Sequence, residues 1–104
     1  MSFAVRLAPA AETDLEGLFD FLLDRAESPE DLDRAQAAID TLRATLQQQL
    51  ALTPFNFRKA ARNPAKRELI VPFGDTGYVA LYEIVTASKV VVLAVRHQCE
   101  EDYH

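Results

Sequence analysis

The chain has 104 residues, 49% of them hydrophobic, and a formal net charge of −5 from 11 Lys and Arg against 16 Asp and Glu. That length holds a single domain, expected over residues 1–104, and leaves no room for a large active site between two domains. The acidic balance lacks the basic footprint from which nucleic-acid binders draw much of their affinity, so such binding must be local or absent.

A single cysteine, Cys99, excludes an intrachain disulfide and fits a reducing compartment. The N-terminus, Met-Ser-Phe-Ala-Val-Arg-Leu, is too short and too early in its charge for a signal peptide. No apolar run approaches the roughly 20 residues that cross a bilayer. The expectation is a cytoplasmic protein with no membrane partner.

Phe3, Val5 and Leu7 alternate with polar or small neighbours, as in a half-buried strand, and Pro9 closes it. Ala10 to Ala26 reads as a helix: Leu15, Leu18, Phe19, Leu22 and Leu23 recur at steps of three and four. Glu12, Asp14, Glu16, Asp20 and Asp24 lie on or beside the other side, which reads as a solvated face. Ser28-Pro29-Glu30-Asp31 marks a second helix start, with Ser28 as N-cap and Pro29 at the first helical position. That helix is expected to run to about Leu50 and to bury Leu32, Ala35, Ile39, Leu42, Leu46 and Leu50. Two such helices joined by a short turn form an antiparallel hairpin.

Thr53 to Lys66 is a connection with little or no regular structure, because it holds Pro54, Asn56, Asn63 and Pro64. Its charges are one-sided: Arg58, Lys59, Arg62 and Lys66, followed by Arg67. Arg67 to Phe73 reads as a strand with Leu69, Val71 and Phe73 on one face, and Gly74 to Gly77 as a turn. Tyr78 to Val85 and Lys89 to Val95 complete an antiparallel meander. Val90 to Val95 is an unbroken β-branched run, expected to be buried on both faces. The order is β-α-α-β-β-β, an α+β domain with a helical hairpin packed on one face of a mainly antiparallel sheet.

The chain has no Gly-rich phosphate loop, nucleophile elbow or regular Cys/His metal spacing. His97, Cys99, Asp102 and His104 can be drawn as a metal set, and His97 with Cys99 as a thiol pair, but no orienting group accompanies them; no metal is expected. Arg67, Arg96, His97 and Tyr103 would surround a phosphodiester if the sheet brought the second and fourth strands together. Against this, Glu100, Glu101 and Asp102 would repel a phosphate. The plainer reading pairs Arg96 with those acids or with Glu83. Tyr78 and Tyr82 share a strand face and read as core residues with a wet hydroxyl edge.

The order of elements, the strand Gly77-Tyr78-Val79-Ala80-Leu81-Tyr82-Glu83-Ile84, and above all Val90-Val91-Val92-Leu93-Ala94-Val95-Arg96-His97-Gln98 followed by Glu100-Glu101-Asp102-Tyr103 resemble the ParE/RelE superfamily of type II toxin–antitoxin toxins. The Val95-Arg96-His97-Gln98 ending is similar to the ParE branch. The resemblance spans essentially the whole chain and implies a small toxin that uses no cofactor. It also implies a ParD-like antitoxin partner, a DNA-binding dimer whose disordered tail folds on the toxin. In the ParE branch it implies inhibition of DNA gyrase by binding, with DNA met only through the antitoxin or gyrase. In the RelE branch it implies a ribosome-dependent messenger RNA endonuclease, for which Arg67, Arg96 and Tyr103 would be catalytic. Contact candidates for target or antitoxin are Arg58, Lys59, Arg62, Lys66, Arg67, Arg96, His97 and Tyr103. Where the ParE pattern has an arginine this chain has Cys99, which leaves a degenerate, non-toxic member as a third reading.

Overall fold

The alternation at Phe3, Val5 and Leu7 produces β1 (Ala4–Leu7), with these three side chains packed against the core. The computed structural model describes residues 2–60, 63–73 and 76–97. Pro9 does more than end the strand. It opens α1 (Pro9–Asp24) in the first turn, where its missing N–H removes no helical bond. The helix stops two residues short of the expected Ala26, because the Arg25 and Ala26 amides donate to the Leu22 and Leu23 carbonyls and tighten the last turn.

Ser28 caps α2 (Pro29–Leu52) as expected: its Oγ accepts from the Asp31 amide at 3.2 Å. The Asp31 carboxylate reaches back to the Glu27 amide at 3.0 Å. Ser28→Ala is expected to lower the unfolding free energy by about 1 kcal/mol, seen as a lower denaturant midpoint at unchanged slope.

The buried stripe of α2 is Ala35, Ala38, Ile39, Leu42, Leu46 and Leu50. Leu32, expected in that stripe, stands 49% exposed; it lies in the first turn, ahead of the buried residues. Arg43 of α2 grips Glu12 of α1 with two bonds of 2.9 and 3.1 Å. That guanidinium holds the Glu12 carboxyl below its usual range. The acidic side of α1 is therefore not purely solvated.

The strands form one five-stranded sheet in the order β1-β5-β4-β3-β2. β1 pairs in parallel with β5 (Lys89–His97), and the other neighbours are antiparallel. The expected α+β class and the helical hairpin on one sheet face are both present. One strand is added. Within the supposed connection, a 3-10 turn (Pro54–Asn56) leads into β2 (Arg58–Ala60), which pairs with β3 (Asn63–Phe73). The ladder jumps from Lys59↔Arg67 to Ala60↔Asn63. Pro64, which has no N–H to donate, falls inside that jump. β2 is a short, cationic edge strand, a form that discourages pairing with other chains.

β5 also departs from expectation. Its register with β4 (Thr76–Thr86) shifts between Leu81 and Tyr82, setting Leu93 out of step. Val90, Val92 and Val95 are buried toward the helices, while Val91, Leu93 and Ala94 on the other side are only half-buried. The run is thus dry on one face rather than two. Tyr78 and Tyr82 are both buried in the core. No described helix is long and apolar enough to cross a membrane.

Candidate functional site

Strand alternation sends the basic residues to two sides of the sheet. Arg67 stands opposite Tyr82, whose side chain belongs to the core cluster, so it faces the helices. There one guanidinium nitrogen of Arg67 donates to the carbonyls of Phe55 at 3.1 Å and Phe57 at 2.9 Å. The group also lies 5.7 Å from the Phe55 ring centroid. The Tyr82 hydroxyl donates to the Pro54 carbonyl, and the Phe57 and Tyr82 rings meet edge to face. Burial pushes the Tyr82 phenol up to about 12, partly opposed by the nearby Arg67 cation. The same cause raises the Tyr78 phenol. Arg67 and Tyr82 together bind the 3-10 turn to the sheet. The expected wet hydroxyl edge is, at Tyr82, a dry hydrogen bond.

Residues one step along each strand project from the uncovered face. Glu68 of β3 lies there, 16% exposed, between two arginines. Arg58 of β2 lies 3.0 Å away through Nε, and Arg96 of β5 lies 3.2 Å away. Ile70, Val79 and Leu81 adjoin this triad in the ladder, and Lys66 pairs opposite Glu83. The expected partners of Arg96 among the C-terminal acids lie outside the described residues; Glu68 is a partner that the structure provides instead of Glu83.

Glu68→Ala is expected to leave Arg58 and Arg96 facing one another without their shared anion. It should cost about 1–2 kcal/mol of stability, partly recovered at high salt. A stability unchanged at low salt would refute the triad's structural weight.

His97 lies back on the helix side, opposite Tyr78, with the two rings edge to face at 5.6 Å. Arg67 pairs with Tyr82, four residues along β4, which offsets the His97 and Arg67 positions by roughly 13 Å along the strands, on opposite sides of β4. Lys59 is exposed at the β2 edge, opposite Arg67 in the ladder. The structure therefore joins Arg58 with Arg96, and sets Arg67 and His97 apart from both. Arg62, Tyr103, Cys99, Asp102 and His104 lie outside the described residues, as do Glu100, Glu101 and the Gly74–Asp75 part of the expected turn. Among the described residues no group of His, Cys, Asp and Glu is placed to hold a metal ion.

Two residues with roles here gave no sequence signal. Glu68 became the hub only once register aligned it with Arg58, and Asp14 proves to accept the Val95 amide at 2.9 Å. No spacing rule links residues so distant in the chain.

Comparison with known proteins agrees with this architecture. A toxin from Caulobacter vibrioides, Toxin RelE3, is 35% identical over 97 residues, covering 93% of this chain and 96% of the relative. A solved structure described as the chromosomal ParDE TA system from P. aeruginosa superposes with a TM-score of 0.69 over 91% of this chain and 95% of the other, at 12% identity. That likeness is one of fold. A family model described as the ParE toxin of type II toxin-antitoxin system, parDE, matches residues 5–102. The chain belongs to the ParE toxin family of type II toxin–antitoxin systems.

Proposed function

We propose that this toxin acts by binding rather than by hydrolysis: it inhibits DNA gyrase in the cytoplasm and is neutralised by a ParD-like antitoxin. The observation that carries this reading is the division of the cations. Arg67 holds backbone carbonyls on the helix side, while Arg96 meets Glu68 on the other face. A ribonuclease would need its cations to converge on one phosphate and stabilise its developing charge. The acidic net charge of −5 is also ill suited to a seat among ribosomal phosphates. The triad of Arg58, Glu68 and Arg96, bordered by Ile70 and Leu81, suits a protein partner, with apolar area for affinity and paired charges for register. DNA is met only through the antitoxin or gyrase.

The Caulobacter relative's RelE name favours a second reading, a ribosome-dependent messenger RNA endonuclease. Expression without the antitoxin separates these. Growth arrest with loss of gyrase supercoiling and intact messenger RNA supports the first. Messenger RNA cuts that require ribosomes and vanish in Arg96→Ala overturn it. Absence of any growth defect points instead to a non-toxic member that only binds its antitoxin, a reading motivated by Cys99.

A further inference from the structure

Ladder register sorts the charges of this chain by face. On the sheet side away from the helices, Arg6, Val91, Glu83 and Lys66 stand side by side across β1, β5, β4 and β3. The next row runs Ala94, Leu81, Glu68 and Arg58. The third runs Arg96, Val79 and Ile70. A cation stands at an end of every row. Glu83 and Glu68 lie inboard, among the aliphatic residues, and Ile70 is 41% exposed.

The helical layer has the opposite sign. α1 holds acids from Glu12 to Asp24 and neither Lys nor Arg, and in α2 the acids outnumber Arg34 and Arg43. The net charge of −5 therefore hides a face on which cations prevail. Apolar residues inside a charged border are the anatomy of a protein interface. These rows contain no aromatic ring on which a base could stack, and their inboard glutamates would meet phosphates with like charge.

We propose that this sheet face is where the toxin meets its protein target, and that the target presents there an apolar spot bordered by Asp and Glu. The proposal rests on the reading of a gyrase-binding toxin above and gives that contact a location and a chemistry. Arg6, Lys66 and Arg58 at the row ends select acidic groups, and the aliphatic rows between them supply area removed from water. With the helical layer acidic, an acidic target repels the wrong face and draws in the right one, so the charge division orients the encounter. A second copy of this chain also offers an acidic helical face, but such a head-to-tail contact repeats without closing.

The test uses the full chain and purified gyrase supercoiling a relaxed plasmid, with two matched pairs of variants. Arg6 and Arg34 are both exposed, one on the sheet face and one on α2. Arg6→Glu should raise the half-inhibiting concentration by about fivefold or more, whereas Arg34→Glu, the same charge change, should stay within about twofold. Ile70→Glu should raise it by about tenfold or more, and Leu32→Glu, at a similarly exposed apolar residue of α2, should not. Unfolding midpoints confirm that each variant folds. In the parent, inhibition should weaken as salt rises, and less steeply in Arg6→Glu, a readout that no folding defect imitates. Equal inhibition by Arg6→Glu and Ile70→Glu overturns the proposal, as does an effect shared by both members of a pair. Binding of free duplex DNA by the parent that Arg6→Glu abolishes overturns it in favour of nucleic acid. Self-association lost in Arg6→Glu overturns it in favour of a second copy. A parent chain that leaves gyrase untouched sinks the functional reading, and this assignment with it.

Discussion

Arg67→Ala is expected to lower the unfolding free energy by about 2–4 kcal/mol and to detach the Pro54–Asn56 turn from the sheet. Two backbone carbonyls lose a charged donor, and a hydrogen bond to a charged group contributes roughly 1.5–3 kcal/mol. Phe55, 59% exposed, also loses the cation near its ring. Arg67→Lys should recover only part of the loss, since a strongly hydrated ammonium on a flexible stem lacks the delocalised plane that lies near the Phe55 ring. Denaturant unfolding followed by circular dichroism provides the number. The sign matters for function. A residue used in phosphodiester chemistry would give a folded, equally stable and inactive variant. Arg67→Ala with parental stability would return it to the list of catalytic candidates and weaken the case for a binding toxin.

Raising the pH from 10 to 12 is expected to remove about 2 kcal/mol through Tyr82 alone. Its phenol titrates near 10 when unfolded and is pushed up to about 12 in the fold. The folded state holds the proton more tightly, so the contribution is fully present below pH 10 and is lost as pH climbs through 12. Tyr78 is raised by the same burial and works in the same direction. Denaturant midpoints collected between pH 8 and 12 would trace the loss. Tyr82→Phe should be less stable than the parent at pH 8, because the Pro54 carbonyl loses its donor, yet should decline less steeply in alkali. Parallel declines for the two proteins would contradict a dry hydroxyl at Tyr82.

Much of this architecture could be read from local pattern. Ser28-Pro29 announced α2 because capping is decided within one turn, and Leu69, Val71 and Phe73 announced their strand because alternation is local. Errors came where the deciding partner is remote. Leu32 carries the helical period but precedes the buried part of the stripe. Arg58–Ala60 has no strand-like alternation and is a strand only because β3 lies beside it. By sequence alone Arg67 and Arg96 fall into one candidate cluster of cations. One residue of register separates a side chain that holds a turn on the helix side from one that meets Glu68 on the open face. No composition or spacing argument resolves that parity before the ladder is known.

The parallel seam between Ala4–Leu7 and the strand beginning at Lys89 joins positions separated by most of the polypeptide. Contacts this remote in sequence are entropically costly to establish and slow the search for the native state. On the ribosome, α1 can emerge long before the strand on which it rests has been translated. The apolar stripe of the hairpin then has no sheet to cover it. A nascent chain interrupted before Lys89 cannot close the domain, so the finished binding surface arises only after nearly all of these codons have been read.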